Sequence, residues 1–363
     1  MTRVVVVGGG FAGLTIGWEL ARSGADVSVV RSDRPRASLV AAGMLAPMPE
    51  SASTVALLRL ASEALHHYPR FLETLAEDTN RDVGFRRSGV LRIAADDAER
   101  VALREEVGSY EAAGLPSQWL DARSARQLAP GLPGSIAGGL LSFDEAQVQP
   151  AWLLEALEEA GFRRGVTFAA GEVTAIRATD TSASVEVDGH PRLEADRLVL
   201  AAGSWSTALG GELVPVRPVK GQLLVFAAAQ GPEPILYSGH NYLVSKPDGT
   251  VLLGGTMADA GYSFDPDPEA EQLRDLLPQL WPPLVGAGAT VRVGLRPAAP
   301  DGLPVCGPIP GMRAAYAFTG HYRNGFLLCP HGARLAAGEI LEGARSALFT
   351  PLRPARFVPD RVY

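Results

Sequence analysis

The sequence predicts a mixed fold, α/β at its N-terminus and α+β further along, divided between two domains. Three observations lead to this class. The chain has 363 residues, which is too long for one ordinary hydrophobic core. A strand, a glycine-rich turn, a helix and a second strand follow one another over residues 3–30. Hairpin signals, such as Asp188-Gly189 and Asp248-Gly249, concentrate in the middle of the chain and indicate an antiparallel sheet there.

The first three elements follow from residue type and spacing. Val4 to Val7 form a continuous β-branched run, which is typical of a parallel strand buried on both faces. Leu14 to Ser23 carry apolar residues at helical spacing, and Gly24 stands where this helix should end. Asp26 to Val30 read as the second strand, so the stretch predicts a βαβ unit.

The later elements divide into helical and strand-rich stretches. Helices are expected over residues 54–78, 96–113 and 268–280, from Pro150 to a stop at Gly161, and after Gly320 to about Leu341. Strands are expected over residues 89–94, 137–143, 166–168, 173–176, 184–187, 198–203, 221–227, 242–245, 250–254 and 315–319.

Composition and charge narrow the class of protein. Hydrophobic residues make up 47% and charged residues 20% of the chain, and the formal net charge is -7. This mildly acidic balance disfavours nucleic acid or an anionic membrane as partners. Two cysteines, Cys306 and Cys329, cannot form a disulfide framework, which favours a reducing compartment. Since no apolar run approaches the roughly 20 residues that span a bilayer, we expect a cytoplasmic protein.

The glycine-rich turn carries the first functional signal. Gly8-Gly9-Gly10-Phe11-Ala12-Gly13 fits the G-x-G-x-x-G pattern between a strand and a helix. Gly8 permits the tight turn, Gly10 lets the backbone approach a pyrophosphate, and Gly13 lets the helix pack closely on the strand. The helix N-terminus then offers free N–H groups to the phosphates. This context predicts a Rossmann-type dinucleotide site, the alternative being a purely structural turn.

One position departs from the dinucleotide pattern. The second strand should end in an acid that binds the adenosine ribose, but Arg31 occupies that position. Asp33, two residues later, could take over the acid's role. Alternatively, Arg31 could favour a 2′-phosphate, as in NADP sites. Both interpretations are open at this stage.

Beyond the turn, an ordered set of motifs runs through nearly the whole sequence: Ala41-Ala42-Gly43-Met44-Leu45-Ala46, Asp144 to Pro150, Ala201 to Ser206, Pro218-Val219-Lys220-Gly221-Gln222, Gly294-Leu295-Arg296-Pro297, Asp301-Gly302-Leu303-Pro304 and Gly320-His321-Tyr322-Arg323-Asn324-Gly325. Through these motifs the sequence resembles, nearly end to end, the glycine oxidase and D-amino acid oxidase family of FAD enzymes, and the glycine oxidase type most closely. This set is much more specific than a glycine-rich N-terminus, which many flavoproteins share.

The resemblance implies a discontinuous two-domain architecture. A Rossmann-type FAD-binding domain would comprise residues 1–80, 148–215 and 295–363. A substrate-binding domain of residues 81–147 and 216–294 would be built on a large, mostly antiparallel sheet. The hairpin signals in the middle of the chain agree with this division.

The family pattern also implies substrate-binding residues. An amino acid brings a carboxylate, which the planar fork of an arginine binds through two parallel hydrogen bonds. Arg296 matches the family's carboxylate clamp and Tyr242 the tyrosine whose hydroxyl touches the carboxylate. Arg323 would line the site, Met257 would form an apolar wall, and His240 would stand near the entrance. The alternatives are an ion-paired arginine, a packed aromatic ring and a core methionine.

The same resemblance implies the FAD contacts. After Gly325, the N-terminal amides of a helix would stabilise negative charge on the reduced flavin. The expected cofactor-binding residues are Gly8, Gly10, Phe11, Ala12, Gly13, Arg31, Asp33, Ala42, Gly43, Met44, Val173, Ala202, Gly203, Trp205, Arg323, Asn324, Gly325, Phe326 and Leu327. Because neither cysteine stands where the family forms a covalent link, FAD should bind noncovalently.

The implied reaction is FAD-dependent oxidation of glycine or a similar small amine or amino acid by hydride transfer. Imine, oxo acid, ammonia and hydrogen peroxide would be formed, with molecular oxygen as the second substrate and no general base. A glycine oxidase proper would supply the imine for the thiazole of thiamine. Alternatives are a dehydrogenase of the same fold, a tailoring oxidase for a larger amine, and a non-catalytic flavoprotein. The six histidines show no metal-ligand spacing, so no metal is expected. A homo-oligomer is a weak expectation from relatives.

Overall fold

The computed structural model describes residues 1–51, 54–227 and 230–358. Its strands are Arg3–Val7 (β1), Asp26–Arg31 (β2), Met44–Leu45 (β3), Val90–Ala94 (β4), Ser117–Asp121 (β5), Gly138–Ser142 (β6), Ala146–Gln147 (β7), Thr167–Ala170 (β8), Val173–Ala178 (β9), Ala183–Val187 (β10), Leu193–Ala195 (β11), Arg197–Leu200 (β12), Arg217–Phe226 (β13), Ile235–Ser238 (β14), Asn241–Ser245 (β15), Val251–Gly254 (β16), Thr290–Ala298 (β17), Val305–Ile309 (β18) and Met312–Thr319 (β19). Its α-helices are Phe11–Arg22 (α1), Pro47–Ser51 (α2), Val55–Asp78 (α3), Asp97–Glu105 (α4), Val107–Ala112 (α5), Ala122–Leu128 (α6), Pro150–Arg163 (α7), Ser206–Gly210 (α8), Pro268–Gln272 (α9), Leu277–Leu280 (α10) and Gly325–Glu342 (α11).

A six-stranded sheet carries the N-terminal βαβ unit. Its order is β18-β19-β12-β1-β2-β8, and only the β18–β19 pair is antiparallel. Val4 to Val7 of β1 are fully buried, as their apolar run requires of a central parallel strand. Helices α1, α3, α7 and α11 pack together on one side, where they bury a large apolar cluster. The strands come from three separate stretches of the chain.

A second sheet of eight strands has the order β17-β13-β16-β15-β14-β4-β6-β5. All its pairs are antiparallel except β14–β4. The longest pairing joins β13 to β17, from Arg217 opposite Ala298 to Val225 opposite Thr290. These two sheets confirm the predicted α/β (α+β) class with a large, mostly antiparallel second sheet.

One predicted domain boundary falls inside a strand of this sheet. β17 pairs with β13 along its whole length and runs across the expected boundary between residues 294 and 295. The division into domains stays a prediction, and this pairing favours moving that boundary beyond Ala298.

The helix from Pro150 shows one error in the predicted elements. It does not stop at Gly161 but continues to Arg163, and Gly161 lies buried inside it. A Cβ at Gly161 would stand only 3.1 Å from the ring of Phe168, so this glycine serves close packing on β8 rather than termination. Among the described helices, none is both long and apolar enough to cross a bilayer.

Candidate active site

A long cleft of about 350 Å³ lies between the two sheets. The nucleotide end of the cleft is formed by the glycine-rich turn after β1 and by the ends of β2, β8 and β12. The other end reaches β13, β15 and β17 of the large sheet. Predicted site residues along its wall are Gly8, Gly10, Phe11, Ala12, Ala42, Gly43, Met44, Val173, Ala202, Gly203, Trp205, Tyr242, Arg296, Arg323, Gly325 and Phe326.

The glycine-rich turn has no room for side chains at two of its positions. Gly8 adopts a φ of +123°, and a Cβ there would lie 2.3 Å from the carbonyl oxygen of Ala201. A Cβ at Gly13 would lie 1.8 Å from the carbonyl oxygen of Gly8, because α1 packs directly on the turn. Gly13 itself does not line the cleft. Helix α1 begins at Phe11 with its first amides directed to the cleft end, which suits phosphate oxygens.

Two polar side chains extend this phosphate cradle. The hydroxyl of Ser38 is buried without a hydrogen-bond partner in the described structure and lies over Gly10, 3.8 Å from where a Cβ would stand. A buried hydroxyl without a partner needs a ligand or water. Arg36 donates to the carbonyl of Gly9 over 3.2 Å and also lines the cleft. A dinucleotide pyrophosphate fits this combination of free amides, hydroxyl and guanidinium.

The adenosine end differs from the usual arrangement. Arg31 pairs with Glu158 of α7 over 3.1 Å, and the same carboxylate accepts a hydrogen bond of 3.0 Å from Arg36. Ser32 lines the cleft, whereas Arg31 and Asp33 on either side of it do not. Asp33 instead borders a more open hollow at the surface, which shares Ser32 and Arg34 with the cleft. Both interpretations of Arg31 and Asp33 therefore stay predictions.

Residues 42–44 are held from behind by a buried lysine. Lys246 donates to the carbonyls of Ala42 (2.8 Å) and Val148 (2.6 Å) and to Oε1 of Gln147 (2.9 Å). Burial lowers the pKa of Lys246 to about 7. Gly43 has a φ of +70°, and a Cβ there would lie 2.4 Å from the carbonyl oxygen of Val148. The cleft wall at these residues is therefore a fixed backbone surface.

Helix α11 points its N-terminus at the cleft. Gly325 and Phe326 of its first turn line the wall, and the Phe326 ring stacks on Phe11 with centroids 4.2 Å apart. Leu327 is buried in the helical core instead. Asn324 is buried outside the wall, where it accepts from Ser51 and donates to the backbone carbonyl of Glu50. The first-turn amides and the helix dipole favour an anionic group at this end.

Arg296 lies over Gly221 at the substrate end of the cleft. On β17 it stands two residues beyond Gly294, which faces Gly221 of β13 directly. A Cβ at Gly221 would lie 2.1 Å from Nη1 of Arg296, so the guanidinium occupies the space that this glycine leaves. Its hydrogen bond to protein is from Nη1 to the carbonyl oxygen of Thr256 (2.9 Å).

Tyr242 stands beside Arg296 on the same sheet. It faces Gly254 across β15 and β16, and its hydroxyl lies over that glycine. The side chain is buried, which raises the pKa of its hydroxyl, although the nearby Arg296 guanidinium opposes this shift. Tyr242 is therefore a protonated hydrogen-bond donor at neutral pH. Together, the two side chains can hold one carboxylate.

Arg323 forms a buried ion pair with Glu50 of α2. Two guanidinium nitrogens donate to the two carboxylate oxygens, and the Tyr237 hydroxyl donates to the same carboxylate. The side chains of Arg323 and Glu50 are 12% and 5% exposed. Although burial opposes the charge, Glu50 holds the pKa of Arg323 above its ordinary value. The preceding Tyr322 has a φ of 49°, unusual for a side chain of this size.

Two predicted substrate residues lie outside the cleft wall. His240 is exposed on the turn between β14 and β15. Met257 is 41% exposed, and its sulfur accepts from the Tyr322 hydroxyl (3.1 Å) and from Arg323 Nη1 (3.5 Å). Met257 therefore belongs to the rim next to Arg323.

Sequence reasoning missed Glu50, Tyr237 and Ser38. Glu50 follows the Ala41–Ala46 motif closely, but a single acid in a short helix gives no periodic or spacing signal. Tyr237 reads as an ordinary strand aromatic. Ser38 lies between the second strand and that motif, and only the structure shows its hydroxyl over Gly10.

The cleft joins a Rossmann-type glycine turn at one end to an arginine and a tyrosine that could hold a carboxylate at the other, and this combination fits a nucleotide-dependent oxidoreductase. The model of the DAO family, described as FAD dependent oxidoreductase, matches residues 3–338. The chain belongs to this family.

Individual relatives agree with the family match. The chain is 31% identical to the glycine oxidase of Pseudomonas putida, over 99% of this chain and 98% of the relative. It is 32% identical to the bifunctional protein ThiO/ThiG of Trichormus variabilis over 98% of its own length, which is 55% of that protein. The crystal structure of glycine oxidase from Geobacillus kaustophilus has a TM-score of 0.90 and 28% identity, with 99% of this chain and all of that one covered.

These findings confirm the predicted enzyme class and cofactor. The chain is an FAD-dependent oxidoreductase acting on amine or amino acid donors, and its FAD is bound noncovalently. Both cysteines are buried, and burial raises the pKa of the Cys306 thiol to about 12, so its thiolate is scarce at neutral pH. The individual residue roles stay proposals.

Proposed function

We propose that this enzyme oxidises glycine or a closely similar small amino acid. Support comes above all from Arg296, whose guanidinium lies over Gly221 of β13 with the protonated Tyr242 beside it. An arginine fork and one hydroxyl supply three donors, which suits a single carboxylate. The glycine oxidases among the relatives support the same class of substrate.

The protein's part in the reaction is to position the substrate. Arg296 and Tyr242 hold the carboxylate and thereby orient the α-carbon and amine. The glycine-rich turn, Ser38 and Arg36 would hold FAD, which would supply the two-electron acceptor for a hydride from the α-carbon, with dioxygen as the final acceptor and hydrogen peroxide as its product. The imine is then hydrolysed to the oxo acid and ammonia.

No general base is assigned to this reaction. The carboxylate of Glu50 is paired with Arg323, and that of Glu172 at the nucleotide end is paired with Arg34. His321 is buried at the cleft wall, and burial lowers its pKa to about 4, so it is neutral. A substrate amine that reaches the site neutral needs no such group, and water can take the proton from its ammonium form.

The direct test is an anaerobic titration of the purified holoenzyme, followed by flavin absorbance. The panel contains glycine, sarcosine, D-alanine, D-proline and larger D- and L-amino acids. We expect glycine or sarcosine to bleach the flavin and, under air, one peroxide to form per oxo acid. A bound flavin that no small amino acid reduces would contradict the proposal, and reduction without peroxide would indicate a dehydrogenase.

Arg296→Ala tests the carboxylate clamp in the same assay. Removing one partner of a buried charged pair costs about 2–5 kcal/mol, so half-reduction should require glycine concentrations on the order of 100-fold higher. Arg292→Ala is the matched control, because Arg292 is exposed on the same strand and does not line the cleft. Equal titration curves for both variants would remove Arg296 from the substrate site.

The finer expectations belong to this proposal. We expect a cytoplasmic enzyme whose small partners are the amine substrate and molecular oxygen, and we keep a homo-oligomer as a prediction. A role in supplying the imine for thiamine thiazole synthesis is supported by the likeness to the bifunctional ThiO/ThiG protein.

A further inference from the structure

The cleft wall carries several cations, and their partners differ. Four arginines line it in the described chain: Arg34, Arg36, Arg296 and Arg323. Arg34 pairs with Glu172, Arg36 with Glu158, and Arg323 with Glu50. Arg296 alone among these four has no carboxylate within salt-bridge distance in the described structure, and it donates to a backbone carbonyl instead. The substrate end therefore presents one uncompensated positive charge.

Glu50 neutralises Arg323, the second cation at the substrate end. Its carboxylate accepts both guanidinium nitrogens of Arg323 and the hydroxyl of Tyr237. Its backbone carbonyl accepts from the Asn324 side chain over 3.1 Å, so side chain and main chain are both held. Burial raises the pKa of Tyr237 well above its ordinary value, so its hydroxyl keeps the proton that it donates.

A second substrate carboxylate would meet this fixed pair. Taking a carboxylate out of water is unfavourable unless a cation receives it. Among the described arginines of the cleft wall, Arg323 is the second one at the substrate end, and its Nε and Nη2 already donate to Glu50 while its Nη1 donates to the sulfur of Met257. A second substrate carboxylate would lie unpaired against the Glu50 oxygens, and such juxtaposed like charges repel strongly where water is excluded.

We infer that Glu50 restricts this enzyme to amino acids with one carboxylate and excludes dicarboxylic amines. Sarcosine and iminodiacetate are the relevant pair, since the second carries a carboxylate on the methyl carbon of the first. Glu50 would act through charge, by occupying Arg323, rather than by filling space. This inference rests on the proposal that the cleft binds amino acids.

The test uses ligands that bind but lack an oxidisable amine. Methoxyacetate is the oxygen analogue of sarcosine, and diglycolate is the oxygen analogue of iminodiacetate. Dissociation constants for both are measured from perturbation of the flavin spectrum of the oxidised holoenzyme. In the wild type, we expect diglycolate to bind at least about tenfold more weakly than methoxyacetate, which equals about 1.4 kcal/mol. Equal or tighter binding of diglycolate would overturn the inference.

Glu50→Gln leaves the shape similar and frees Arg323. Diglycolate binding should tighten at least about tenfold, while methoxyacetate binding changes much less. The double variant Glu50→Gln/Arg323→Gln returns the substrate end to one cation, so the wild-type preference should return. An unchanged ratio in a flavin-bound Glu50→Gln enzyme would refute the role of Glu50. If Glu50→Gln fails to fold, Glu50→Ala takes its place, because it frees the same cation. If neither variant folds, the ratio of the diglycolate and methoxyacetate dissociation constants in the wild type decides.

Glu339 provides a matched control outside the cleft. It too pairs with an arginine, Arg353, and accepts a tyrosine hydroxyl, that of Tyr316. Glu339→Gln should leave the ratio of the two dissociation constants unchanged, whatever it does to stability. Because these measurements involve no turnover, a failure of amino acid oxidation leaves the charge inference separately testable. Conversely, an active glycine oxidase that binds diglycolate well would refute the inference alone.

Discussion

At the residue scale, the space for the proposed carboxylate clamp depends on the absence of side chains at two glycines. The Arg296 guanidinium lies where a Cβ of Gly221 would be, and Tyr242 covers Gly254 in the same way. In each case a glycine on a neighbouring strand receives the functional side chain. The glycines are therefore part of the site, although they carry no reactive group.

A substitution at Gly221 tests this dependence. In Gly221→Ala the new methyl would stand 2.1 Å from Arg296 Nη1, so the guanidinium must move away from its position. We expect the KM for glycine to rise at least about tenfold, which corresponds to about 1.4 kcal/mol of lost binding. Steady-state kinetics of the holoenzyme measure this effect.

Gly338→Ala is the comparison for that variant. Gly338 lies in α11 with only Ala344 near a new Cβ, at 3.9 Å, and alanine is the better helix residue. Its KM should equal that of the wild type. If Gly221→Ala shared this behaviour, the guanidinium would have to bind elsewhere than the structure places it.

At the scale of elements, short segments are fastened to one another by buried polar side chains. Lys246, directly after β15, joins the 42–44 segment to the residues before α7. Three acceptors match the three N–H bonds of an ammonium group. The 42–44 segment, which is proposed to face the flavin, is thus held in position by a lysine that follows a strand of the other sheet.

Lys246→Met should destabilise the protein by about 1–3 kcal/mol, since two buried carbonyls lose their donor. Burial lowers the folded-state pKa to about 7 from an ordinary value of 10.5. Between these pH values the unfolded chain binds a proton that the folded chain does not, so this group's contribution to stability rises with pH. In urea unfolding, the wild type should exceed Lys246→Met in free energy of unfolding by more at pH 9 than at pH 6.

Lys246→Arg is the conservative comparison for this measurement. Arginine keeps its charge throughout this pH range. Lys246→Arg, like Lys246→Met, should therefore lack the pH-dependent stabilisation that Lys246 gives the wild type. A gap between wild type and Lys246→Met that is the same at both pH values would show that Lys246 does not titrate there.

At the scale of the whole molecule, the helices that cover the six-stranded sheet are linked to one another through Asp78. Asp78, at the end of α3, accepts from Trp18 of α1 (2.8 Å) and pairs with Arg164 after α7 (2.6 Å). Burial opposes the charge of Asp78, but these partners lower its pKa overall. One carboxylate therefore links three helices that cover the same face of the sheet.

Asp78→Asn should lower the free energy of unfolding by about 1–3 kcal/mol at pH 7. Because the folded-state pKa is depressed, this stabilisation is present above the ordinary value near 3.9 and is lost as pH falls through the lower folded value. The difference between wild type and variant, measured by urea unfolding, should shrink from pH 7 to pH 3. An equal difference at both pH values would contradict the ionised link, and flavin absorbance should stay unchanged at pH 7.

Much of the architecture could be predicted because its signals are local. The β-branched run of β1, the glycine turn and the helical spacing of α1 all lie within residues 3–22. Local residue pattern and backbone sterics are therefore enough to predict them. The hairpin turns at Asp188-Gly189 and Asp248-Gly249 join antiparallel strands as predicted. The predicted helix end at Gly161 was wrong, because this glycine allows close packing on Phe168 and the helix continues to Arg163.

The sequence by itself determined the nucleotide turn and the mixed fold, and its resemblance to the family singled out Arg296 and Tyr242 as the proposed carboxylate clamp. Only the tertiary structure decided how the charges of the site are balanced. Arg323 and Glu50 are 273 residues apart in the chain, and Lys246 and Ala42 are 204 apart. Periodicity and spacing report neighbours along the chain, whereas an ion pair between distant segments depends on how sheets and helices pack. That packing leaves Arg296 as the cation available to a substrate among the described arginines of the cleft wall.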